Sequence, residues 1–307
     1  MMTAPKLTFN RDFNPRYGEV IQLLHNVRRI TCNNPGPFTW MGTNTYILGE
    51  KEVAILDPGP MDEEHIANLI AACKGETISK ILISHTHADH SPGARLLQEK
   101  TGAPIYAEGG HRPARPLHLG EVNPLDASAD TSLEIDVYVK DGDLIKGNGW
   151  ELEVLHTPGH TANHLAFAFT DGSGLFSADH VMAWSTSIVA PPDGSMRDYM
   201  KSLDKLMARE DAVYWPGHGG IVEDVAPFLA CLKAHRQGRE KSVLDRLTAG
   251  DETIPEMVSI VYRDVDKALH GAAALSMFAH IEDLVEQGLV SCNQESPSLS
   301  AKYKLND

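Results

Sequence analysis

Four potential metal ligands fall within six residues, His85-Thr86-His87-Ala88-Asp89-His90. This histidine-rich segment follows a short apolar run at 80–84, which predicts a strand, and precedes a predicted helix at 92–100 with proline in its first turn. Alternate side chains of an extended chain point the same way, so His85, His87 and Asp89 are expected to face one cavity. Imidazole and carboxylate groups are ligands for zinc, iron and manganese. The segment therefore predicts a metal site at a strand end.

Three later segments have the same organisation. His160 lies in the loop after a predicted strand at 150–156, Asp179 follows a short predicted strand at 175–177, and His218 follows one at 212–215. Functional side chains are commonly held in loops by a rigid scaffold of strands. If these strand ends lie along one edge of the sheets, the three side chains converge on the histidine-rich segment and complete a metal site.

The remaining pattern predicts a layered α/β protein with a small second domain. Predicted strands at 27–32, 45–48, 53–56 and 164–170 alternate with predicted helices at 62–74 and 196–208. From residue 236 the pattern changes to helices at 240–248, 254–262 and 272–287, followed by strands at 289–292 and 301–305. This is the element order of a winged helix. The predicted domains are therefore residues 1–235, which carry the metal site, and residues 236–307.

The charge of the chain argues against polyanionic partners. It carries 27 basic and 42 acidic side chains, a formal net charge of −15, and such a field repels nucleic acid and anionic lipid. Residues 236–307 hold eight basic and twelve acidic side chains, which favours a winged helix that packs on its neighbour or forms a homodimer over one that reads DNA. No stretch predicts a membrane span or a signal peptide, and the four cysteines have no paired spacing. We expect a cytoplasmic protein without a membrane partner.

The order of these motifs, from about residue 43 to residue 219, resembles the metallo-β-lactamase superfamily. The resemblance implies a four-layer αββα sandwich with a two-metal site on one edge. When the family's motif is matched residue by residue to this sequence, the resemblance implies a first metal held by His85, His87 and His160. It implies a second metal held by Asp89, His90 and His218, with Asp179 bridging the two. Asp57, at the end of an early predicted strand, matches the family's supporting aspartate.

Departures from the family pattern reduce the number of reactions that the resemblance implies. True β-lactamases usually have Cys or Ser where this chain has Asp179, so degradation of antibiotics is not implied. The flavodiiron branch has glutamate where this chain has His87, which favours hydrolysis over reduction of dioxygen. The short interval between Asp179 and His218 leaves no room for the inserted domain of β-CASP nucleases.

A second resemblance lies at the predicted domain boundary. The segment 234–240, Ala-His-Arg-Gln-Gly-Arg-Glu, followed by the winged-helix pattern, is similar to the β-lactamase-like protein 2 group. The best-described activity of that group is cleavage of single-stranded RNA. The acidic charge of this chain does not favour such a substrate, so the resemblance supports the fold more strongly than the substrate.

Together these observations predict a two-metal hydrolase that uses a metal-bridging hydroxide oriented by Asp89. Two divalent ions are expected, with zinc favoured and iron or manganese as alternatives. The first hypothesis for the substrate is a small ester, lactone or thioester. The second is single-stranded RNA, and a third, remote hypothesis is a DNA-binding regulator of the winged-helix type.

Other residues have weaker predicted roles. His164 and His180 adjoin ligand loops and are expected to support ligands or structure rather than to react. His111 and His118, within 109–124, are expected to be solvated loop residues, with a substrate entrance as the alternative. Five apolar residues have two equally expected roles, either as an apolar lip beside the metals or in ordinary core packing: Phe38, Trp40, Met41, Met182 and Trp184.

Overall fold

Two sheets form the larger part of the molecule. The computed structural model describes residues 7–119, 121–123 and 126–306. The first sheet has seven strands in sequential order: β1 (Ile21–Leu24), β2 (Val27–Thr31), β3 (Asn44–Leu48), β4 (Glu52–Leu56), β5 (Thr77–Leu82), β6 (Ile105–Ala107) and β7 (Val137–Tyr138). Strands β1 to β4 pair antiparallel, whereas β4 to β7 pair parallel. The parallel pairs require crossover connections, and helices α1 (Glu63–Ala72) and α2 (Gly93–Thr101) provide two of them.

The second sheet has five strands in the order β12-β11-β10-β9-β8. Its strands are β8 (Leu144–Gly147), β9 (Trp150–His156), β10 (Leu165–Phe169), β11 (Leu175–Ala178) and β12 (Tyr214–Pro216). Strands β11 and β12 pair parallel, and helix α3 (Met196–Met207) lies between them in the chain. Ser195 caps α3 by accepting a hydrogen bond from the backbone N–H of Asp198.

Three apolar interfaces join four layers. Ile66 and Leu97 belong to the core between α1, α2 and the first sheet. Phe167 and Trp215 belong to the core between the two sheets, and Tyr199 belongs to the core between the second sheet and α3. Burial of these side chains is the main favourable contribution to the sandwich. The predicted αββα fold is confirmed.

A small domain of helices and a hairpin follows. It contains α5 (Ile254–Val261), α6 (His270–Glu286), β13 (Val290–Cys292) and β14 (Tyr303–Leu305). A capping box begins α5, in which Thr253 and Glu256 exchange side-chain and backbone hydrogen bonds. Met257, Phe278 and Tyr303 are buried in the core of this domain. The predicted winged-helix order is confirmed.

Helix α4 (Val225–Thr248) is much longer than the predicted helix at 240–248 and contains the predicted boundary at residue 235. Its first half packs Leu229 and Leu232 into the core of the second sheet, and its second half packs Val243 into the winged-helix core. An interior glycine costs about 1 kcal/mol relative to alanine. Packing along both halves outweighs this cost at Gly238, two residues before the predicted start of the helix.

Four short strands, β1, β6, β7 and β8, were not predicted. Strands β1, β6, β7 and β8 have two to four residues each, too few for an alternating pattern to be recognised. Among the described helices, none is both long and apolar enough to cross a bilayer. All four cysteines are free.

Candidate metal centre

Loops from both sheets meet at one edge of the sandwich. The histidine-rich segment follows β5, whereas the loops of His160, Asp179 and His218 follow β9, β11 and β12. The two sheets are joined here by the backbone N–H of Asn44, which donates to the carbonyl of Gly217 at 2.7 Å. All seven residues predicted as ligands lie in this cluster, with their side chains turned towards one another.

Three histidines form the first group of donor atoms. His87 Nδ1 lies 3.0 Å from His85 Nε2 and 2.9 Å from His160 Nε2. The atoms of this group lie within 4.8 Å of one another. Three imidazole nitrogens around one point are the ligand set of many zinc sites.

The second group contains Asp89, His90 and His218. His218 Nε2 lies 3.2 Å from Asp89 Oδ2 and 3.3 Å from His90 Nε2. His90 Nε2 lies 3.5 Å from Asp89 Oδ2. This group therefore combines two imidazole nitrogens with one carboxylate oxygen around a second point.

Asp179 lies between the two groups. Its Oδ2 lies 3.6 Å from His160 Nε2 and 3.4 Å from His218 Nε2, and its Oδ1 lies 3.5 Å from His90 Nε2. Within the described part of the chain, buried Oδ1 has no hydrogen-bond donor. A Cβ at Gly217 would approach Oδ1 to 2.5 Å, so only glycine fits there. A buried carboxylate oxygen without a partner is costly, and a cation between the groups would satisfy it.

The ring nitrogens that face away from the cluster are held by neighbouring acceptors. His160 Nδ1 donates to the carbonyl of Ile188 at 2.7 Å, and His218 Nδ1 donates to the carbonyl of Gly42 at 3.1 Å. These bonds place the proton on the outer nitrogen and leave the inner one free to ligate.

Asp57 supports both groups at once. Its Oδ2 lies 3.0 Å from His90 Nδ1 and accepts from Ser84 Oγ at 2.6 Å. Ser84 Oγ in turn lies 3.0 Å from His85 Nδ1. Asp57 thus lies where the sequence predicts a supporting aspartate, beneath the cluster rather than inside it.

Sequence reasoning missed Ser84 and Asp193 as supporting residues. Asp193 Oδ2 lies 3.4 Å from the outer Nε2 of His87. The surrounding Pro-Pro-Asp-Gly segment has a composition typical of turns and carries no signal for a metal site. Backbone carbonyls such as those of Ile188 and Gly42 carry no sequence signal at all, because every residue has one.

The electrostatics of the cluster favour positive charge. Burial opposes ionisation of Asp179, but His218 and His90 lower its carboxyl pKa well below the usual value. Burial opposes protonation of His218, but Asp179 and Asp89 raise its pKa well above the usual value. Burial and then neighbouring histidines lower the pKa of His85 and that of His160, the latter to about 4. The cluster thus offers ionised carboxylates and the neutral imidazoles of His85 and His160, while His218 holds a proton that a cation at the carboxylates would displace.

This donor chemistry fits divalent metal ions. Five imidazole nitrogens and two carboxylates, with outer nitrogens already bonded, form the environment that such ions require. The assignment of each residue to a particular metal stays a prediction.

Of the histidines with weaker predicted roles, three lie close to the cluster. His164 accepts at Nε2 from the backbone N–H of Asp179 at 3.3 Å, a supporting position. His180 is fully buried and packs on Tyr199, with ring centroids 4.4 Å apart. The expectation of a solvated side chain is wrong for His111, which is 4% exposed and lies 2.9 Å from Asp126. At His118 the backbone N–H donates to Glu121.

An apolar cavity of about 190 Å³ opens beside the cluster. Phe38 and Met182 line it, as the apolar-lip hypothesis predicts, together with Ile188 and Ala190. Leu275 of α6 also lines it, so the winged-helix domain contributes to this wall. Trp184 lies in an adjoining cleft and stacks on Trp40 at 5.2 Å, whereas Met41 does not line either space.

Comparison with known proteins agrees with this geometry. Residues 38–218 match the metallo-beta-lactamase superfamily, and residues 253–296 match the beta-lactamase associated winged helix domain. The chain is 31% identical over 273 residues to a beta-lactamase-like protein 2 homolog of Caenorhabditis elegans, covering 86% of this chain and 85% of that protein.

Two further relatives extend the comparison. An atrochrysone carboxyl ACP thioesterase of Aspergillus chevalieri is 26% identical over 261 residues, covering 84% of this chain and 77% of that one. A crystal structure of a metallo-beta-lactamase family protein from Thermus thermophilus superposes with a TM-score of 0.75 at 24% identity, covering 93% of this chain and all of that one. This structure supports the fold alone.

Proposed function

Because the chain belongs to the metallo-β-lactamase superfamily and is a metallo-hydrolase, we propose a specific reaction for it. We propose that it uses two zinc ions to hydrolyse a small ester, lactone or thioester. The observation that carries the proposal is the junction of seven ligand-type side chains with a small apolar cavity. Thioester hydrolysis is the activity in the name of the Aspergillus chevalieri relative.

The cavity favours an acyl substrate. Its walls are mainly aliphatic and aromatic, including Phe38, Met182, Ile188 and Leu275, and few polar groups face it apart from the metal cluster. Apolar walls with a few convergent polar groups are typical of small-molecule sites. Exclusion of water by these walls would strengthen electrostatic interactions with a polarised carbonyl.

The protein residues have separable roles in this proposal. His85, His87 and His160 would hold one ion, Asp89, His90 and His218 the other, with Asp179 between them. When bound, such a pair supplies Lewis acidity and lowers the pKa of water. Asp89, whose side chain is 27% exposed, reaches the cavity and accepts from Thr43 Oγ1 at 3.4 Å. It is placed to accept a hydrogen bond from the attacking water and to orient it.

Zinc is the proposed metal because the donor set is rich in imidazole. Iron and manganese accept the same ligand types and remain the alternatives. Metal analysis of the purified protein would identify the ions, and a content other than zinc would overturn this part of the proposal.

The packing of α6 argues against a DNA-binding regulator. This third helix of the winged-helix domain lies where such domains present their recognition helix. Here Ala279 is buried in the core of the second sheet, and Arg197 of α3 donates to Asp283 at 2.8 Å. A helix held in this way does not present its face to a major groove. Cleavage of single-stranded RNA and homodimerisation through the winged helix stay predictions.

A substrate panel tests the proposed function. Metal-loaded protein would be assayed with a phenyl ester, a lactone, an acyl thioester and single-stranded RNA, beside His160→Ala and the exposed-site control His25→Ala. We expect turnover of at least one acyl substrate that is lost in His160→Ala and retained in His25→Ala. Cleavage of RNA with no turnover of any acyl substrate would reverse the proposal.

A further inference from the structure

A second cleft adjoins the apolar cavity at the metal cluster. It measures about 310 Å³ and lies between the metal domain and the winged-helix domain. Phe38, Met182, Ile188 and Ala272 belong to the walls of both spaces, so the two adjoin each other across these side chains. A molecule that binds at the metal cluster and contacts these apolar side chains therefore lies next to the cleft.

Helix α4 contributes basic side chains to this cleft. His235, Arg236 and Arg239 line it, all within the segment 234–240. Among the described residues, no carboxylate forms an ion pair with either arginine. Arg236 is 3% exposed, and its guanidinium lies 4.7 Å from the centre of the Tyr199 ring. Arg239 lies 4.4 Å from the centre of the Tyr262 ring and donates to the carbonyl of Val261 at 3.0 Å.

Several donor atoms around these arginines lack partners. Within the described chain, Arg236 Nε and His235 Nδ1 are buried without an acceptor. His280 of α6 is 2% exposed, and neither of its ring nitrogens has a partner. Buried polar atoms normally have hydrogen-bond partners, and buried charges normally have counter-ions. Two of these atoms, Arg236 Nε and His235 Nδ1, belong to residues that line the cleft.

Arg236 Nη2 donates to the carbonyl of Ser187, but neither guanidinium pairs with a carboxylate of the described residues, in a chain whose net charge is −15. Most other arginines of the described chain contact a carboxylate, as Arg115 contacts Glu121 and Glu282. Structural packing alone does not require two cations beside the unpartnered Nδ1 of His235. An anion in the cleft would supply the missing counter-charge and acceptors together.

We propose that the cleft binds an oxyanion carried by the substrate, so that the enzyme selects small acyl compounds with an anionic group separated from the scissile carbonyl by an apolar part. Arg239 and Arg236 bind the oxyanion, and the shared apolar walls hold the intervening part. This inference rests on the proposed acyl hydrolysis at the metal cluster. It gives a role to the segment 234–240, which the metal chemistry does not use.

Matched thioesters test this selectivity. The neutral substrate is S-phenyl hexanethioate. One anionic analogue is the mono-S-phenyl thioester of adipic acid, with a carboxylate at the far end of the acyl chain. The other is the hexanoyl thioester of mercaptobenzoate, with the carboxylate on the thiol. Each would be assayed with the metal-loaded native protein, Arg239→Gln, Arg239→Lys and the control Lys241→Gln, an exposed position on the same helix that pairs with Asp245.

The native protein is expected to prefer one anionic thioester by at least about tenfold in kcat/KM, the effect of one charge-assisted hydrogen bond. Arg239→Gln should remove this preference mainly through KM, and Arg239→Lys should restore part of it. Lys241→Gln should leave it unchanged. Equal turnover of neutral and anionic thioesters by the native protein would overturn the inference. An equal fall in kcat/KM for the neutral and the anionic thioesters in Arg239→Gln would also overturn it, because that pattern indicates a structural role for Arg239.

A binding measurement separates this inference from the proposed function. Adipate would be titrated against the native protein and Arg239→Gln by tryptophan fluorescence, since Trp184 lines the cleft. Saturable quenching that requires Arg239 supports the anion site even if no thioester is hydrolysed. Absence of quenching, or quenching that is identical in both proteins, counts against the anion site even if neutral thioesters are hydrolysed.

Discussion

Replacement of Asp57 by asparagine tests how the metal cluster is supported. Asp57 has a positive φ of 51°, a conformation that asparagine also tolerates, so the backbone can be preserved. The carboxylate accepts from the Ser84 backbone N–H at 2.8 Å and from Ser84 Oγ at 2.6 Å, and it lies 3.0 Å from His90 Nδ1. The substitution changes the hydrogen-bonding properties of one buried group while retaining its shape.

The expected magnitude follows from these contacts. An asparagine can still accept from the Ser84 N–H, but its amide nitrogen can only donate towards His90 or Ser84 Oγ. Donation to His90 Nδ1 leaves the imidazole proton on Nε2, the nitrogen that faces the cluster. We expect a loss of about 2 kcal/mol in unfolding free energy, the value of one charge-assisted hydrogen bond. Metal affinity should fall by about 10–100-fold.

The two metal positions should respond differently. His90 belongs to the group with Asp89 and His218, so the affinity of that group should fall most. The other group is reached from Asp57 only through Ser84 and His85, so its affinity should change less.

Competition with a chromogenic chelator would resolve the two dissociation constants, and chemical denaturation would give the unfolding free energy. Asp211→Asn is the matched control, because Asp211 is buried and pairs with Arg209 away from the cluster. That variant should lose stability without losing metal affinity. Unchanged dissociation constants in Asp57→Asn, or an equal loss at both positions, would refute the reasoning.

Three further predictions concern the loops, the winged helix and the metals. Gly159→Ala should prevent metal binding or folding, because a Cβ at this position would lie 2.3 Å from Tyr199 Cα. In the control Gly149→Ala, which also has a positive φ, the added Cβ meets no neighbouring atom within 4 Å. Equal melting temperatures of the two variants would contradict this prediction. Burial, and then Arg236, lowers the pKa of His280 to about 3. The neutral form of His280 contributes its full stability above pH 6.5, and this contribution is lost as the pH falls towards 3. When the pH is lowered from 7 to 5, the unfolding free energy of His280→Phe should therefore fall by about 2 kcal/mol less than that of the native protein, as measured by chemical denaturation. Dialysis against a chelator should abolish hydrolysis, and added Zn²⁺ should restore it; full turnover without metal would exclude the proposed chemistry.

Much of the candidate site could be predicted because its ligands lie in local patterns. The segment from His85 to His90 follows an apolar strand, and Asp179 and His218 follow short strands of their own. Strand ends on one side of a layered sheet protein meet along an edge, so sequence order and residue type were sufficient to propose the cluster. The strand at Trp150–His156 was predicted with the correct bounds because apolar and polar residues alternate from Trp150 to Val154.

Other features follow only from contacts between distant segments. Helix α4 continues through Gly238 because both of its halves are covered by packing, which local periodicity does not reveal. The side chain of His111 is 4% exposed and lies beside Asp126 and Asp193, although its proline-rich surroundings predicted a solvated loop.

The sequence by itself determined the layered fold, the winged-helix order and the types of ligand available, because these depend on hydrophobic period and on side-chain chemistry. The tertiary structure decided which nitrogen of each imidazole faces inward, which neighbour holds the other, and that α6 forms a wall of the apolar cavity. It also brought Arg236 and Arg239 to the adjoining cleft, where no carboxylate of the described residues pairs with them. These outcomes depend on distances of a few ångströms between segments far apart in the chain, and no local pattern encodes such distances.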